Sequence, residues 1–306
     1  MRAASQQTTS PFTAFGFRVR GAGLVSEPLE LRARFSSKGK VWTPWFTAPV
    51  DDDLSDAASG EVCFQLICLD APAIYYEWEL AGDFASIAKG PTATVFCIDA
   101  GKAGPLIKRK GQIVNRSAWG CPDGEDSPEW EPEYAPVTHL VVHHTATSNS
   151  ATDWPAVVRS IWEYHTHALG WGDIGYNYLC DPNGVIYEGR AGRNGVVGGH
   201  FSCQNEGTVG IALLGTFAST YPTKKQRRAL DRILTQCARR NGIDPMATAL
   251  HAPTGLVLNT ICGHRDGKDS TTVCSTTKCP GHDLYESLPA IRSAVARRLG
   301  KSAFHE

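Results

Sequence analysis

The order of hydrophobic and polar residues divides the chain into two parts. Between residues 12 and 97, short stretches rich in β-branched and aromatic side chains are separated by clusters of Gly, Pro and Asp. Residues 29–35 and 75–80 alternate apolar with polar positions, as half-buried strands do. This pattern predicts several short antiparallel strands that form a small, sandwich-like all-β domain over residues 10–100.

The pattern changes after a connecting segment. Residues 99–112 contain three glycines, one proline and four basic residues, which predicts a linker over residues 101–112. Beyond it, short apolar strands alternate with amphipathic helices. This alternation predicts an α/β domain over residues 113–300, with a mixed central β-sheet flanked by helices.

Three helices are predicted in the second part. Residues 153–169 carry apolar side chains at helical spacing, between Asp153 and Gly170. Two more helices are predicted from capping boxes, one from Thr223 with Gln226 to position 242 and one from Asp283 with Glu286 to position 299. Four short segments are predicted as strands, the middle two as a hairpin: residues 139–143, 176–180, 185–188 and 208–214.

Composition excludes several classes of protein. The chain has 30 Lys and Arg against 31 Asp and Glu, a net charge of −1, so no overall field attracts it to nucleic acid. No apolar run approaches the roughly 20 residues that cross a bilayer, so no membrane span is expected. At 306 residues, with 42% hydrophobic and 20% charged residues, the chain has the composition of a globular protein with a sizeable core.

Ten cysteines indicate an oxidising compartment or metal ligation. Residues 1–9 are polar with one Arg, so they do not form an intact secretory signal. We therefore expect a secreted or cell-wall-associated protein whose leader is missing from this sequence or which uses another export route.

Two histidines and one cysteine have the chemistry of a metal site. His143 ends a predicted apolar strand, with His144 on the opposite face, while His264 and Cys279 lie in a loop-like region between the second and third helices. Two neutral imidazoles and a thiolate suit Zn²⁺, and three protein ligands leave a fourth tetrahedral position for water, as in amide hydrolysis. Because no compact spacing ties the three together, unrelated histidines and a disulfide-bonded cysteine remain the alternative.

A series of short motifs resembles one known family. The chain resembles, over residues 112–299, the peptidoglycan recognition protein family of zinc amidases, which includes the amidase-type phage lysozymes. The motifs occur in the family's order: RSAWG at 116–120, VVHHTA at 141–146, YH at 164–165, GWGDIGYN at 170–177, NGVIYEGR at 183–190, GH at 199–200, VGI at 209–211, GHRD at 263–266 and CPG at 279–281. The resemblance implies an N-acetylmuramoyl-L-alanine amidase with one zinc ion per chain.

The resemblance also implies roles for individual residues. His143, His264 and Cys279 would be the zinc ligands. Tyr176 would act beside the water or the developing oxyanion, with an ordinary strand tyrosine as the alternative. Thr277 would stabilise the transition state, unless the register slips to Lys278.

The spacing of the last ligand departs from the family pattern. His264 and Cys279 are 279 − 264 = 15 positions apart, about twice the family's usual spacing, so residues 267–276 form an apparent insertion. Cys274 is the rival ligand, and a Cys262–Cys274 disulfide that closes the insertion is a further guess. A related branch of amidases uses a Glu after Gly-Ile in this strand. Ala212 stands there, so that mechanism is not expected.

Substrate contacts follow from the same resemblance. His165 and His200 match groove-lining positions that contact the muramyl peptide, although a buried core histidine is the alternative for either. Gly170 and Trp171 resemble the dipeptide of members that prefer meso-diaminopimelate-type peptidoglycan. Arg190 or Arg193 would pair with the extra carboxylate of this residue, with a core Trp171 and solvent-exposed arginines as the alternative.

Other readings remain open. The cluster at residues 42–46 (WTPWF) fits either sugar stacking or core packing, and the all-β domain either wall binding or a spacer. A recognition protein that binds muramyl peptides without cutting them is the main rival to the enzyme. A secreted structural protein with all its cysteines paired is the second rival. Presence of the metal cysteine, Cys279, favours the enzyme.

Overall fold

The computed structural model describes residues 1–21, 29–51, 54–55, 60–82, 90–101, 112–201, 204–270 and 277–300. Two compact units emerge. The first contains Met1–Lys102 and Ala146–Tyr164, and the second contains Ala103–Thr145 and His165–Glu306. The linker predicted over residues 101–112 falls almost entirely outside the described residues, so the boundary between the domains stays a prediction.

The first unit is built on one antiparallel sheet. Its described strands are β1 (Arg2–Arg20), β2 (Glu30–Ser36), β3 (Phe46–Ala48), β4 (Glu61–Cys63), β5 (Ile67–Ala81) and β6 (Thr92–Ile98). They run in the order β3-β2-β5-β1-β4, and β6 also pairs with β1. The N-terminal part of β1 pairs with β5, whereas its C-terminal part pairs with β4 and β6.

Aromatic side chains from both parts of this sheet share one core. The ring centroids of Phe17 and Trp78 are 4.8 Å apart, and those of Phe15 and Phe35 are 5.3 Å apart. Phe15 and Phe17 lie on the C-terminal part of β1, while Phe35 and Trp78 lie on β2 and β5. The β-rich first region predicted from alternating residues is therefore confirmed, and its strands close around a common hydrophobic interior.

The tryptophan cluster predicted as either core or sugar-binding lies outside this core. The guanidinium of Arg34 lies 5.1 Å from the ring of Trp42 and 4.8 Å from that of Trp45, and Arg32 lies 5.2 Å from Trp45. Both arginines alternate along β2 with buried Leu31, Ala33 and Phe35. The tryptophans therefore pack over the outer face of β2 through cation–π contacts.

The first predicted helix forms and belongs to the first unit. It is α2 (Trp154–Glu163), following the short α1 (Arg116–Trp119), and the side chain of Asp153 accepts a hydrogen bond from the Ala156 amide at its start. Residues Tyr164–Ala168 continue it as a π-helical turn. Arg159 donates to the carbonyl oxygens of Ala100 and Gly101, which ties α2 to the end of the chain segment that follows β6.

A mixed six-stranded sheet forms the centre of the second unit. Its strands are β7 (Ile113–Val114), β8 (His139–His144), β9 (Tyr178–Cys180), β10 (Ile186–Glu188), β11 (Thr208–Leu213) and β14 (Ile261–Gly263), and a separate hairpin consists of β12 (Thr248–His251) and β13 (Leu256–Asn259). The order is β14-β8-β11-β9-β10-β7. β8 is parallel to both β11 and β14, and β9 and β10 form the predicted antiparallel hairpin.

Helices pack against this sheet, as expected for an α/β domain. α3 (Lys224–Asn241) begins at Thr223, whose hydroxyl accepts from the Gln226 amide, and ends at Gly242, which has a left-handed φ of 68°. One face of α3 joins the core formed by the sheet: Ala229, Leu230, Ile233, Leu234, Cys237 and Ala238. The α/β fold and this helix are confirmed.

The last predicted helix is two helices. α4 (His282–Glu286) and α5 (Leu288–Arg298) meet at Ser287, and α4 begins at Gly281 without a side-chain cap. The capping box predicted for Asp283 was therefore wrong. The N-cap is Gly281, so Asp283 lies inside the first turn of α4. Pro289 explains the division into two helices, since in one continuous helix it would lack an amide donor and clash with the carbonyl one turn earlier.

Two further findings concern the described residues only. None of their helices combines the length and the apolar character needed to cross a membrane. No disulfide joins any two of the described cysteines. Cys274 lies outside the described residues, so its pairing with Cys262 stays a prediction.

A buried ion pair connects the entry segment to the motif loops of the second unit. Arg116 lies 3.0 Å from Asp173, and neither side chain is exposed. Asp173 also accepts from the amides of Ile174 and Ala191, and Arg116 donates to the Gly189 carbonyl. Removal of one partner would leave a charge in the interior without compensation.

We expect Arg116→Met to lower the free energy of unfolding by about 3–5 kcal/mol, because it leaves the buried Asp173 carboxylate without its positively charged partner. Arg227→Met is the matched control. It removes a more exposed ion pair with Asp231 within α3 and is expected to cost about 0.5 kcal/mol or less. Urea unfolding followed by tryptophan fluorescence measures both, and equal effects of the two substitutions would contradict the prediction.

Candidate metal centre

Three predicted ligands come together at one edge of the second sheet. The donor atoms of His143, His264 and Cys279 all lie within 4.8 Å of one another, and all three side chains are buried. Val142 of β8 is paired with Gly263 of β14, and the two strands are parallel, so the histidines follow at the same ends of neighbouring strands. Strand pairing therefore brings together residues that are far apart in sequence.

Hydrogen bonds hold Cys279 in this group. Its sulfur lies 3.6 Å from His143 Nδ1 and accepts the His144 amide at 3.5 Å. Arg265 donates its amide to the Cys279 carbonyl at 3.0 Å and its guanidinium to the Lys278 carbonyl. Cys279 thus reaches the histidines despite the long spacing, while its rival Cys274 lies outside the described residues.

The donor set fits zinc. Two imidazoles and one sulfur provide the N and S ligands that Zn²⁺ prefers, and the three leave one tetrahedral position for a substrate or water. An amide directed at the Cys279 sulfur favours the thiolate form that ligation requires. His144, in contrast, turns away and accepts the Phe217 amide at 3.3 Å through Nδ1.

The two predicted catalytic residues lie beside this group. The ring centroid of the buried Tyr176 is 5.4 Å from that of His143. Thr277 is partly buried, and its hydroxyl oxygen accepts the Cys279 amide at 2.8 Å. Lys278 is exposed. The structure therefore brings Tyr176 and Thr277 to the donors, and their roles remain predictions.

His165 occupies a fully enclosed position next to Tyr176. Its Nδ1 accepts the Gly175 amide at 3.1 Å, and its ring lies 4.7 Å from that of Trp171 and 5.6 Å from that of Tyr176. Burial lowers the pKa of His165 to about 3, with Arg190 adding to the effect. The imidazole is therefore neutral, with its proton on Nε2, and Gly170 lies exposed just before Trp171.

Arg190 is the buried member of the two candidate arginines. Its side chain is only 6% exposed, its guanidinium lies 3.7 Å from the centre of the Trp130 ring, and its Nη1 donates to the Ile174 carbonyl at 3.3 Å. Within the described part of the chain, no carboxylate reaches ion-pair distance of Arg190, and its Nε has no hydrogen-bond partner. Burial lowers the pKa of Arg190 to about 10. Arg193 is exposed.

Sequence reasoning gave no role to three residues of this region. Trp130 lies under Arg190, far from any quoted motif. Asn177 ends the GWGDIGYN motif, and its buried side chain accepts the Gly210 amide at 2.7 Å and donates to the Val196 carbonyl at 3.0 Å. Thr208 binds the ring of His200. Only Asn177 carried a signal, through its place in a quoted motif.

Comparisons with known proteins agree with this geometry. A family model described as N-acetylmuramoyl-L-alanine amidase matches residues 133–282, a range that contains all three donors. Peptidoglycan-recognition protein SC2 of Drosophila simulans is 30% identical over 178 residues, which cover 58% of this chain and 84% of that protein. The chain belongs to the family of peptidoglycan recognition proteins and N-acetylmuramoyl-L-alanine amidases.

Other members of this family are similar to this chain over a comparable share of its length. A Sus scrofa protein named N-acetylmuramoyl-L-alanine amidase is 31% identical over 180 residues, 58% of this chain and 26% of that protein. The solved structure of wild-type Drosophila PGRP-LB is 26% identical, with a TM-score of 0.46, and the match covers 58% of this chain and 93% of that one. The family includes proteins named for recognition and proteins named for cleavage.

We expect His165 to make the protein less stable in acid. Its pKa is lowered on folding, so the unfolded chain binds more protons between pH 6.5 and 3, and stability present above pH 6.5 is lost as the pH falls. His165→Asn keeps an acceptor for the Gly175 amide but does not titrate.

Urea unfolding of wild type and His165→Asn from pH 7.5 to 5, in the presence of a chelator, tests this. The stability difference should shift in favour of the variant as the pH falls, with a limiting slope of about 1.4 kcal/mol per pH unit. A difference that stays constant with pH would contradict the assignment of a neutral, enclosed imidazole.

Proposed function

We propose that the protein is a zinc-dependent N-acetylmuramoyl-L-alanine amidase. It would hydrolyse the amide between the lactyl group of N-acetylmuramic acid and the first L-alanine of the peptidoglycan stem peptide. The observation that carries the proposal is the buried group of His143, His264 and Cys279 within the region matched by the amidase family. A Zn²⁺ ion fits this donor set better than Mg²⁺ or Ca²⁺, which prefer oxygen ligands.

In this proposal the three donors hold one zinc ion. When bound, zinc polarises the scissile carbonyl and lowers the pKa of water. Tyr176, beside His143, donates its hydroxyl to the oxygen of the carbonyl as negative charge develops there. Thr277 accepts the Cys279 amide through its oxygen, which leaves its own proton to donate to the same oxyanion.

The bond changes are those of amide hydrolysis. The water oxygen forms a bond to the lactyl carbonyl carbon, and the bond from that carbon to the alanine nitrogen breaks. One water proton ends on the nitrogen, and the other leaves the new carboxyl group for the amine or for solvent. The products are a muramoyl carboxylate and a peptide with a new L-alanine amino terminus. Burial of the donor groups limits access of bulk water, which strengthens the hydrogen bonds that Tyr176 and Thr277 make.

We also propose that meso-diaminopimelate-type peptidoglycan is the substrate. Among the described residues no carboxylate lies within ion-pair distance of the buried Arg190, and Asp173 and Glu133 act on its charge only from farther away. The carboxylate that distinguishes meso-diaminopimelate from lysine would pair with it directly. His165 packs against Trp171 and Tyr176, so Gly170 and Trp171 would line the same groove. This substrate places the protein in the cell wall or outside the cell.

A recognition protein that binds without cutting is the competing function. It would use the same groove but would not need a metal ligand at position 279. The sulfur of Cys279 lies beside His143 and accepts a backbone amide, a placement that supports catalysis.

We expect one zinc per chain in the wild-type protein and a loss of most of it in Cys279→Ser, because a hydroxyl is a poor zinc ligand. Release of L-alanine amino termini from diaminopimelate-type peptidoglycan should fall by at least about 100-fold, because the polarising ion is lost. Elemental analysis and amino-terminal labelling measure the two quantities.

Cys121→Ser is the matched control for this substitution. It alters a buried thiol elsewhere in the second unit and should retain both zinc and activity. If the wild-type protein binds peptidoglycan but holds no zinc and releases no amino termini, the protein is a recognition protein and the proposed amidase function is wrong.

We expect Arg190→Met to lower kcat/KM for diaminopimelate-type muramyl peptides by about 10- to 100-fold, the equivalent of a charged hydrogen bond worth about 1.5–3 kcal/mol. Lysine-type peptides should change by less than about 3-fold, because they lack the carboxylate. Arg193→Met, at an exposed position, is the control. An equal fall for both substrates would show that Arg190 only supports the structure.

A further inference from the structure

The ring of His200 contacts one of the three donors directly. His200 Nδ1 lies 3.0 Å from Nε2 of His143, and both side chains are buried. On the other side of the ring, His200 Nε2 lies 3.3 Å from the hydroxyl of Thr208, which donates to the Asn205 carbonyl at 2.6 Å. Three hydrogen bonds thus run in series from the start of β11 to the end of β8.

Donor and acceptor counting gives this series one direction. The Thr208 hydroxyl has a single proton, which it donates to Asn205, so its oxygen accepts from Nε2–H of His200. A neutral His200 protonated at Nε2 has its lone pair on Nδ1, and therefore accepts from Nε2–H of His143. His143 is then left with its lone pair on Nδ1, the atom that lies 3.6 Å from the Cys279 sulfur.

We propose that His200 is a positioning residue of the metal centre, which with Thr208 fixes the tautomer and the ring orientation of His143. The inference rests on the proposed function, since it assumes that the three donors bind zinc. A metal-binding histidine generally donates its second N–H to a fixed acceptor, and loss of that acceptor weakens metal binding. In this protein the acceptor is a second imidazole.

The surroundings of His200 are built to hold its ring in place. The side-chain oxygen of Asn205 accepts the amides of both His200 and Phe201 at 2.7 Å. A Cβ atom at Gly210, on β11, would overlap the His200 ring, and so would one at Gly198. The ring therefore packs against the backbone of two glycines, where a side chain would not fit.

This enclosure distinguishes the proposal from the groove contact expected by resemblance. His200 is only 6% exposed, and the two nitrogens that could bind a muramyl peptide face His143 and Thr208. Its effect on catalysis would therefore pass through His143. Thr208, Gly210 and Ala212 alternate along β11 and pair with residues 139, 141 and 143 of β8, so they lie on the face of the sheet that carries His143.

Three substitutions test the proposal. His200→Asn retains an acceptor close to the place of Nδ1, His200→Leu removes it, and Thr208→Val keeps the imidazole but removes the group that selects its tautomer. Zinc affinity is measured on the full-length protein by competition with a chromophoric chelator. Absorption spectra of the Co²⁺-loaded protein report the geometry of the site.

We expect His200→Leu to weaken zinc binding by about 10- to 100-fold and Thr208→Val by a smaller factor, while His200→Asn stays within about 3-fold of wild type. The Co²⁺ spectrum should change in the Leu variant and be restored in the Asn variant. In the zinc-free protein, ¹⁵N imidazole shifts should show His143 protonated at Nε2, and this measurement needs no variant to fold.

The outcomes separate this inference from the proposed function. Wild-type protein that fails to bind zinc would overturn both. If the wild-type protein binds zinc, and His200→Leu has the same zinc affinity but a raised KM for peptidoglycan, only the positioning role is overturned. His200 would then be a substrate-contacting residue. An Asn variant as weak as the Leu variant would also overturn it, because the retained acceptor is the feature being tested.

Discussion

Parallel pairing of β8 with β14 and β11 is the constraint on which the site depends. Every residue of β8 is buried, and its register with β14 sets His143 and His264 at matching ends of adjacent strands. On the other side of β8, β11 places Thr208 and Gly210 next to the ring of His200. A shift of one residue between β8 and β14 would turn alternate side chains to the opposite face and separate the two histidines, and the same shift between β8 and β11 would move Thr208 away from His200.

Local chemistry made part of the fold predictable. The strand at residues 139–144 reads as an apolar run, and Thr223 with Gln226 and Gly242 mark the ends of α3 through rules that act within one turn. The same rules failed at Asp283, because α4 has Gly281 as its N-cap and Asp283 lies inside the helix, and Pro289 then divides the segment into two helices. The sequence also left the role of Trp42 and Trp45 open between core packing and sugar stacking, because the arginine that both contact lies on another segment, β2.

The site was less predictable from the residues alone. His143 and His264 are brought together by the pairing of two strands that lie more than 100 positions apart in sequence. The spacing of hydrophobic residues does not indicate which strands pair. Cys279 is held by backbone hydrogen bonds from Arg265, which the apparent insertion between them obscures. Resemblance to a family supplied the grouping that spacing did not. It implied a groove contact for His200 but gave no indication of its contact with His143, which depends on the register of β11.

The arrangement separates the metal centre from the charge that would recognise the substrate. Arg190 contacts Trp130 and the carbonyl of Ile174, and none of its contacts with the described residues involves the three donors. The ligands are not members of the main apolar cluster of the second unit, to which the same two strands contribute Leu140, Val142 and Ile261. In the proposed function, loss of one ligand would therefore act on zinc binding and leave the arginine in place. In this proposal hydrolysis depends on the donors at the ends of β8 and β14, whereas recognition depends on Arg190, so one fold would serve either kind of protein that the family names describe.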